Sequence, residues 1–152
     1  MRTKTLISAE EYLRTCFEGP EPDYVGGELV ERPVPNFLHS RVQVRLSDAF
    51  KPWEDRRRLF RASEIRRRVA PERFRVADFA VFTSEQNEPI PETAPCAVVE
   101  IVSPDDRYEE IMSKLADYGQ AGVEYIFVAD PAGHRFSRYR QGDLFALAAI
   151  FG

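Results

Sequence analysis

The spacing of apolar residues changes along the chain between a helical period and a strand period, and these changes predict the order of the elements. Apolar positions three and four residues apart predict helices over residues 8–16, 36–51 and 103–122. Ser8 opens the first helix as part of a capping box, and Asn36 is placed to cap the second. We therefore expect three helices separated by strand-forming segments.

Shorter runs rich in β-branched residues predict the strands. These segments are a hairpin at residues 23–32 and single strands at 59–70, 75–82, 97–102, 123–129 and 134–140. A tight turn joins the two strands that precede residue 83, which predicts an antiparallel pair, while the strand–helix–strand unit that follows implies a parallel pair with a right-handed crossover. The order predicts one α/β (mixed α+β) domain over residues 1–152, with a central mixed sheet flanked by helices.

Two of these apolar strands carry an acid at their centre. Asp78 lies within residues 75–82 and Glu100 within residues 97–102. Alternation places Asp78 on the same face of its strand as Ala80. A buried carboxylate is costly without a partner, and two carboxylates that meet on neighbouring strands suit Mg²⁺ or Mn²⁺. The alternative is that each acid pairs with one of the chain's many arginines.

The third helix places a cation beside this pair of acids. Lys114 and Tyr118 fall one turn apart at the edge of the apolar face, where the lysine stem can lie over the sheet and hold its ammonium near Glu100. Glu64, on the preceding hairpin strand, lies across from the Asp78 region. It is either a third acid of the site or a salt-bridge partner for nearby arginines.

The composition is that of a folded protein. Hydrophobic residues make up 43% of the 152 residues, and no long apolar segment predicts a signal peptide or a membrane span. The two cysteines, Cys16 and Cys96, are isolated, which argues against a disulfide framework or a zinc site. We expect a cytoplasmic protein that does not contact membranes.

Positive charge is concentrated in one segment of a protein whose net charge is −4. Residues 51–75, here named the basic stripe, contain ten Lys and Arg against four Asp and Glu, a local net charge of +6. Such a stripe is typical of a surface that binds a phosphate backbone, and Arg66, Arg67 and Arg68 are the candidate nucleic-acid contacts. The alternative is an arginine-rich strand that pairs with acidic segments of the same chain.

Several motifs together resemble a known family. They are SAEEYL at residues 8–13, GGELVERPVPNFLHSRV at 26–42, RVADFAVF at 75–82, VVEIVSP at 98–104 and KLADYGQAGVEYIFVADP at 114–131. In this order and spacing they resemble the Uma-two family of restriction-endonuclease-like proteins, within the PD-(D/E)XK nuclease superfamily. The resemblance extends over almost the whole chain.

The resemblance implies roles for particular residues. Asp78 and Glu100 would be the metal-binding acids, and the backbone carbonyl of Ile101 would be a further ligand. The superfamily lysine normally follows the second acid by two residues, where this chain has Val102. The related family carries its lysine on the next helix, which matches Lys114.

Further residues would surround the metal ligands. Asp23 aligns with a family acid that precedes the hairpin, and His39 aligns with a histidine that opens the next helix. Apart from the resemblance, Glu64 and Tyr118 are the other candidates for supporting positions, and Tyr118 is either a hydrogen-bond partner within the site or a core tyrosine. Ala77 replaces the proline of the superfamily motif, a change that alters the rigidity of the strand end and removes no ligand.

These observations favour a metal-dependent nuclease that uses Mg²⁺ or Mn²⁺ to hydrolyse phosphodiester bonds, with DNA favoured as the substrate. Two alternatives remain open. One is a catalytically inactive nucleic-acid-binding or interaction module on the same fold, and the other is a metal-dependent hydrolase of a phosphorylated small molecule. The apolar run at residues 144–151 suggests the two-fold interface of a homodimer.

Overall fold

The structure, a computed structural model, describes residues 6–147. The helices are α1 (Ala9–Arg14), α2 (Phe37–Asp55) and α3 (Tyr108–Gln120). The strands are β1 (Asp23–Val25), β2 (Glu28–Val30), β3 (Phe60–Ala70), β4 (Arg73–Phe82), β5 (Ala97–Ile101), β6 (Tyr125–Asp130), β7 (Arg135–Arg140) and β8 (Asp143–Leu147). The predicted α/β class, with a mixed sheet flanked by helices, is confirmed.

Within the described residues the strands form an eight-stranded sheet. Its order is β2-β1-β4-β5-β6-β7-β8, with β3 paired to β4. β5 and β6 are parallel and are connected through α3, whereas β4 pairs antiparallel with β1, β3 and β5. The predicted strand–helix–strand crossover is therefore present, and so is the antiparallel pair that precedes it.

The pairing of β4 leaves part of one edge open. β3 pairs with β4 along its length, so β1 and β5 have to share the other edge. β1 pairs with the start of β4, up to Phe74, and β5 pairs with its end, from Phe79 onward. Among the described strands, none pairs with residues 75–78 on that edge. We refer to this stretch as the β4 gap.

Apolar side chains cover the sheet on both sides. On one side, Leu115 and Tyr118 of α3 pack in a cluster with Ala80 and Val98 of the sheet. On the other side, Val42 and Leu46 of α2 pack in a cluster with Phe79, Val81 and Val99 of the sheet. The helical spacing of the apolar residues thus places each helix on its own face of the sheet.

Two helix ends differ from the prediction. α2 continues through Pro52 to Asp55, because Glu54 in its last turn accepts hydrogen bonds from Arg61 Nε at 2.7 Å and Arg61 N at 3.2 Å. α3 begins only at Tyr108, because Ser103 and Asp106 form a turn in which Ser103 N–H donates to Asp106 Oδ2 at 2.7 Å. Both ends are set by a side-chain acceptor that the apolar pattern does not reveal.

β8 forms one end of the sheet and exposes Leu144, Phe145 and Leu147. Positions 148–151 of the predicted dimer interface lie outside the described residues, so the homodimer stays a prediction. None of the helices in residues 6–147 combines the length and apolarity needed to cross a bilayer. The cytoplasmic location likewise stays a prediction.

A buried ion pair fastens α3 to β4 and gives a test of the fold. Asp117 accepts from Arg73 Nη1 at 2.9 Å and from Arg75 Nε at 2.8 Å. Because Asp117→Asn leaves the buried Arg75 guanidinium without this charge, we expect the free energy of unfolding to fall by about 3 kcal/mol in urea titrations. The same change at Asp55, whose ion pair with Lys51 is exposed, should cost less than about 0.5 kcal/mol. Equal losses would contradict this assignment.

Candidate metal and catalytic site

Side chains occupy the β4 gap and satisfy the backbone that no strand pairs. Val76 N–H donates to Asp23 Oδ1 at 2.8 Å, and Lys114 Nζ donates to the Val76 carbonyl at 2.7 Å. Where β5 diverges from β4, Ile101 N–H donates to Asp78 Oδ2 at 2.7 Å. Buried amides and carbonyls are rarely left unpaired, so these bonds fix the position of both acids and of the lysine.

Glu100 is held by two donors from α3. Lys114 Nζ lies 3.0 Å from Glu100 Oε2, and the Tyr118 hydroxyl donates to Glu100 Oε1 at 2.7 Å. The lysine ammonium also lies 3.5 Å from Asp23 Oδ2. All four side chains are buried, so their charges interact in a medium that screens them weakly.

Burial and the charge of the partner act in opposite directions on the pKa values of Glu100 and Lys114, and both pKa values are raised. Burial raises the pKa of Glu100 to about 8, because the attraction of the Lys114 ammonium only partly offsets the lost hydration. Burial would lower the pKa of Lys114, but Asp23 and Glu100 outweigh it and raise that pKa. Lys114 is therefore a cation at neutral pH.

Arg32 bridges two acids at the open end of the gap. Arg32 Nη2 lies 2.7 Å from Asp78 Oδ1, and Arg32 Nη1 lies 2.8 Å from Glu64 Oε2. Its side chain is only 9% exposed. Sequence reasoning missed this residue, because nothing in the run that follows β2 shows that an arginine there points back to Asp78.

Glu64 reaches the same point through an unusual backbone conformation. Its φ is +51°, in the left-handed region, although it lies within β3. This conformation costs about 1–2 kcal/mol for a residue with a side chain. Glu64 Oε1 accepts from Gln43 Nε2 at 2.7 Å. Burial would raise the pKa of Glu64, but His39 and Arg32 lower it to about 2.

The strand alternation also breaks opposite Glu64. Ala77 and Ala80, three positions apart, both pack in the α3 cluster, so strict alternation does not hold between them, and the expectation that Asp78 shares a face with Ala80 stays a prediction. At this break the Asp78 carboxylate accepts from Ile101 N–H and from Arg32.

His39 supplies a nitrogen whose bonding capacity is unused. His39 Nε2 is buried and has no hydrogen-bond partner among residues 6–147. It lies 3.7 Å from Asp78 Oδ1 and 3.8 Å from Glu64 Oε1, which is too far for a hydrogen bond. One ligand atom from each of these three residues lies within 4.8 Å of the other two. An unpartnered imidazole nitrogen beside carboxylate oxygens fits a divalent cation.

The predicted residues converge on one cleft of about 60 Å³. It is lined by Asp23, Arg32, His39, Asp78, Glu100, Ile101 and Lys114. Glu64 and Tyr118 contact these residues from outside the cleft. The space is sufficient for a hydrated ion and a few waters, whereas a nucleotide would have to lie at its mouth.

Several arginines of the basic stripe, in contrast, contact other groups of the same protein. The Arg66 guanidinium lies 5.1 Å from the centre of the Tyr12 ring and 3.4 Å from Glu21 Oε2. Arg67 is buried and donates to the Ala121 carbonyl at 3.3 Å. These contacts do not support Arg66 and Arg67 as nucleic-acid contacts, because each guanidinium is turned onto the protein's own groups.

Arg68 remains exposed, although its guanidinium lies 5.0 Å from the centre of the Phe74 ring. Arg61 donates to Glu54 Oε2 at 2.7 Å and to the Ser47 carbonyl at 2.6 Å. Arg61 and Arg66 thus pair with acids of the same chain, as the alternative interpretation of the basic stripe predicts, whereas Arg67 binds a carbonyl and Arg68 lies over a ring.

A second, larger groove is lined by α2 and by the segment that joins β6 to β7. Its volume is about 400 Å³. Its lining includes Phe37, Leu38, Arg41, Arg45, His134 and Arg135. Arg41 and Arg45 are exposed and form no ion pair within the described part of the chain. We name this surface the α2 groove.

The raised pKa of Glu100 predicts a pH dependence of stability. Between its usual value of 4.5 and about 8, the folded protein retains a proton that the unfolded chain has lost. This contribution is complete below pH 4.5 and disappears as the pH rises to about 8. In EDTA, we expect the free energy of unfolding to fall by about 1 kcal/mol per pH unit across this window.

Glu100→Gln removes the titrating group and should flatten that slope. The same substitution at the exposed Glu124 should leave the slope unchanged. Urea titrations across the window measure the effect. Parallel slopes in the wild type and Glu100→Gln would show that Glu100 ionises normally.

Comparisons with known proteins give the fold and the family of this chain. A solved structure described as a "putative nuclease belonging to DUF820", from Anabaena variabilis ATCC 29413, superposes with a TM-score of 0.82. The alignment covers 93% of this chain and 84% of that one at 22% identity, which shows a shared fold. No curated protein matches the chain. The sequence profile of the Uma2 (Uma-two) family, described as "Putative restriction endonuclease", matches residues 9–148, and the chain therefore belongs to that family.

Proposed function

We propose that this protein is a metal-dependent nuclease that hydrolyses phosphodiester bonds, with DNA the favoured substrate. The observation that carries the proposal is the convergence of Asp78, Glu100 and Lys114 on one cleft, with the unpartnered His39 Nε2 beside them. Family membership supports a nuclease-like activity. The metal, the substrate and the role of each residue are inferred from the chemistry of the side chains.

The chain offers a suitable set of ligands for Mg²⁺ or Mn²⁺. Asp78, Glu100 and His39 would hold the ion, together with the carbonyl of Ile101, since strand geometry directs that carbonyl to the same side as the N–H that bonds Asp78. When bound, such an ion polarises a phosphoryl oxygen and lowers the pKa of water. Glu64 adds negative charge at the edge of this set.

Lys114 acts as a fixed positive charge. Its raised pKa keeps the amine protonated at neutral pH, so it stabilises negative charge that develops on the phosphoryl group and does not accept a proton. Asp23 and the Val76 carbonyl hold the ammonium in place, and Tyr118 fixes the carboxylate of Glu100. These contacts prepare the site before substrate binds.

The α2 groove supports a nucleic-acid substrate better than the basic stripe does. Arg41 and Arg45 are exposed and unpaired within residues 6–147, and the exposed Phe37 offers a ring on which a base can stack. The first turns of α2 form a wall of both the groove and the cleft. We expect a strand held in the groove to pass the start of α2 and to reach the cleft with a phosphate.

A second candidate function is hydrolysis of a phosphorylated small molecule. It is favoured by the small volume of the cleft and by the inward orientation of Arg67. The two functions share the metal site and differ in their need for the α2 groove.

Asp78→Asn tests the chemistry. With Mg²⁺ or Mn²⁺ present, we expect the wild type to cleave DNA and the variant to lose at least about a hundredfold in rate, because a neutral amide binds a divalent cation poorly. Asp55→Asn, at an exposed ion pair, is the matched control and should retain activity. Cleavage is measured on labelled DNA and RNA with and without EDTA. Cleavage that is indifferent to EDTA would exclude the proposal.

Charge reversal in the α2 groove separates the two candidate functions. For the double variant Arg41→Glu and Arg45→Glu, we expect DNA affinity to fall at least about tenfold. The slope of log K against log salt concentration should become less steep by about two, since two phosphate contacts are lost. Fluorescence anisotropy with an oligonucleotide measures both. The control is Arg57→Glu, at an arginine that pairs with Glu85 elsewhere on the surface. Unchanged DNA affinity in the double variant would favour the small-molecule substrate.

A further inference from the structure

The Arg32 guanidinium occupies the place where the site offers its negative charge. It bridges Asp78 Oδ1 at 2.7 Å and Glu64 Oε2 at 2.8 Å, and its other contact is the Glu21 carbonyl at 3.3 Å. His39 Nε2 approaches the same two carboxylates from another direction, at 3.7 and 3.8 Å. One cluster of ligand atoms thus faces a permanent cation supplied by the chain itself.

We infer that Arg32 is an internal counter-cation, which a divalent metal has to displace from Asp78 and Glu64 in order to bind. The inference rests on the proposed metal site and adds a residue that sets its affinity. A guanidinium and a metal ion both seek these carboxylate oxygens, and two cations a few ångströms apart repel each other in a buried site. Exchange of the guanidinium for a divalent ion replaces one positive charge by two, so the two carboxylates are neutralised by the metal alone.

The segment that carries Arg32 allows this exchange. Residues 31–36, between β2 and α2, have no regular secondary structure, and Val34 within them is 78% exposed. The Arg32 side chain can therefore leave the cluster without breaking the hydrogen bonds of a strand or a helix. The protein therefore needs a higher metal concentration to fill the site than a variant that lacks Arg32 would need.

Metal binding to the whole chain, without nucleic acid, tests the inference. In calorimetric titrations with Mn²⁺, we expect Arg32→Ala to bind at least about tenfold more tightly than the wild type. Arg61→Ala is the matched control, since it also removes a partly buried arginine–glutamate pair but lies away from the cleft, and it should bind like the wild type.

Competition distinguishes displacement from simple charge repulsion. Millimolar guanidinium added to Arg32→Ala should restore weak Mn²⁺ binding, because the free ion can occupy the vacated position. Guanidinium should have a much smaller effect on the wild type. If Arg32→Ala folds poorly without metal, Arg32→Gln serves in its place, and its melting temperature should rise more on addition of Mn²⁺ than that of the wild type.

The outcomes are separable. Tighter binding in the Arg32 variant, reversed by guanidinium, supports the exchange. Equal or weaker binding in the variant, with binding still abolished by Asp78→Asn, overturns the role of Arg32 and leaves the metal site intact. Absence of Mn²⁺ binding in the wild type and in both Arg32 variants overturns the exchange together with the proposed metal site.

Discussion

β4 has two neighbours on one edge, β1 at its start and β5 at its end, and side chains have to satisfy the backbone between them. This single constraint explains why acids and a lysine lie in the centre of a sheet. Asp23 accepts the Val76 amide, Lys114 donates to the Val76 carbonyl, and Asp78 accepts the Ile101 amide. These bonds satisfy backbone groups that no strand pairs, so the polar side chains and the amides are buried with partners.

The polar side chains of this region bind partners on other elements of the fold. Asp117 binds Arg75 and thereby joins α3 to β4, while Lys114 joins α3 to β5 through Glu100. Such pairs contribute little net stability, since desolvation offsets most of their attraction. Removing one partner is costly, however, so the network fixes the relative positions of the elements and, with them, the geometry of the cleft.

Much of the fold and part of the candidate site could be predicted from the sequence, because they depend on local patterns. An acid within an apolar strand is visible as a departure from the pattern, and helical spacing places Lys114 on the sheet-facing edge. Arg32, the left-handed Glu64 and the inward-facing Arg67 could not be found in this way. Each depends on which distant segment lies opposite it, and that is decided by the sheet order and by the divergence of β5 from β4.

The β4 gap has one further consequence. The amides of Val76 and Ile101 donate to carboxylates rather than to carbonyls of a neighbouring strand. The hydrogen bond between an amide and a carbonyl of a neighbouring strand does not depend on which ion enters the cleft. The hydrogen bond between an amide and a carboxylate changes in strength when the cation bound to that carboxylate changes. Deuterium uptake at these two positions should therefore report the ionic state of the cleft, while the paired amides on either side record only the opening of the sheet.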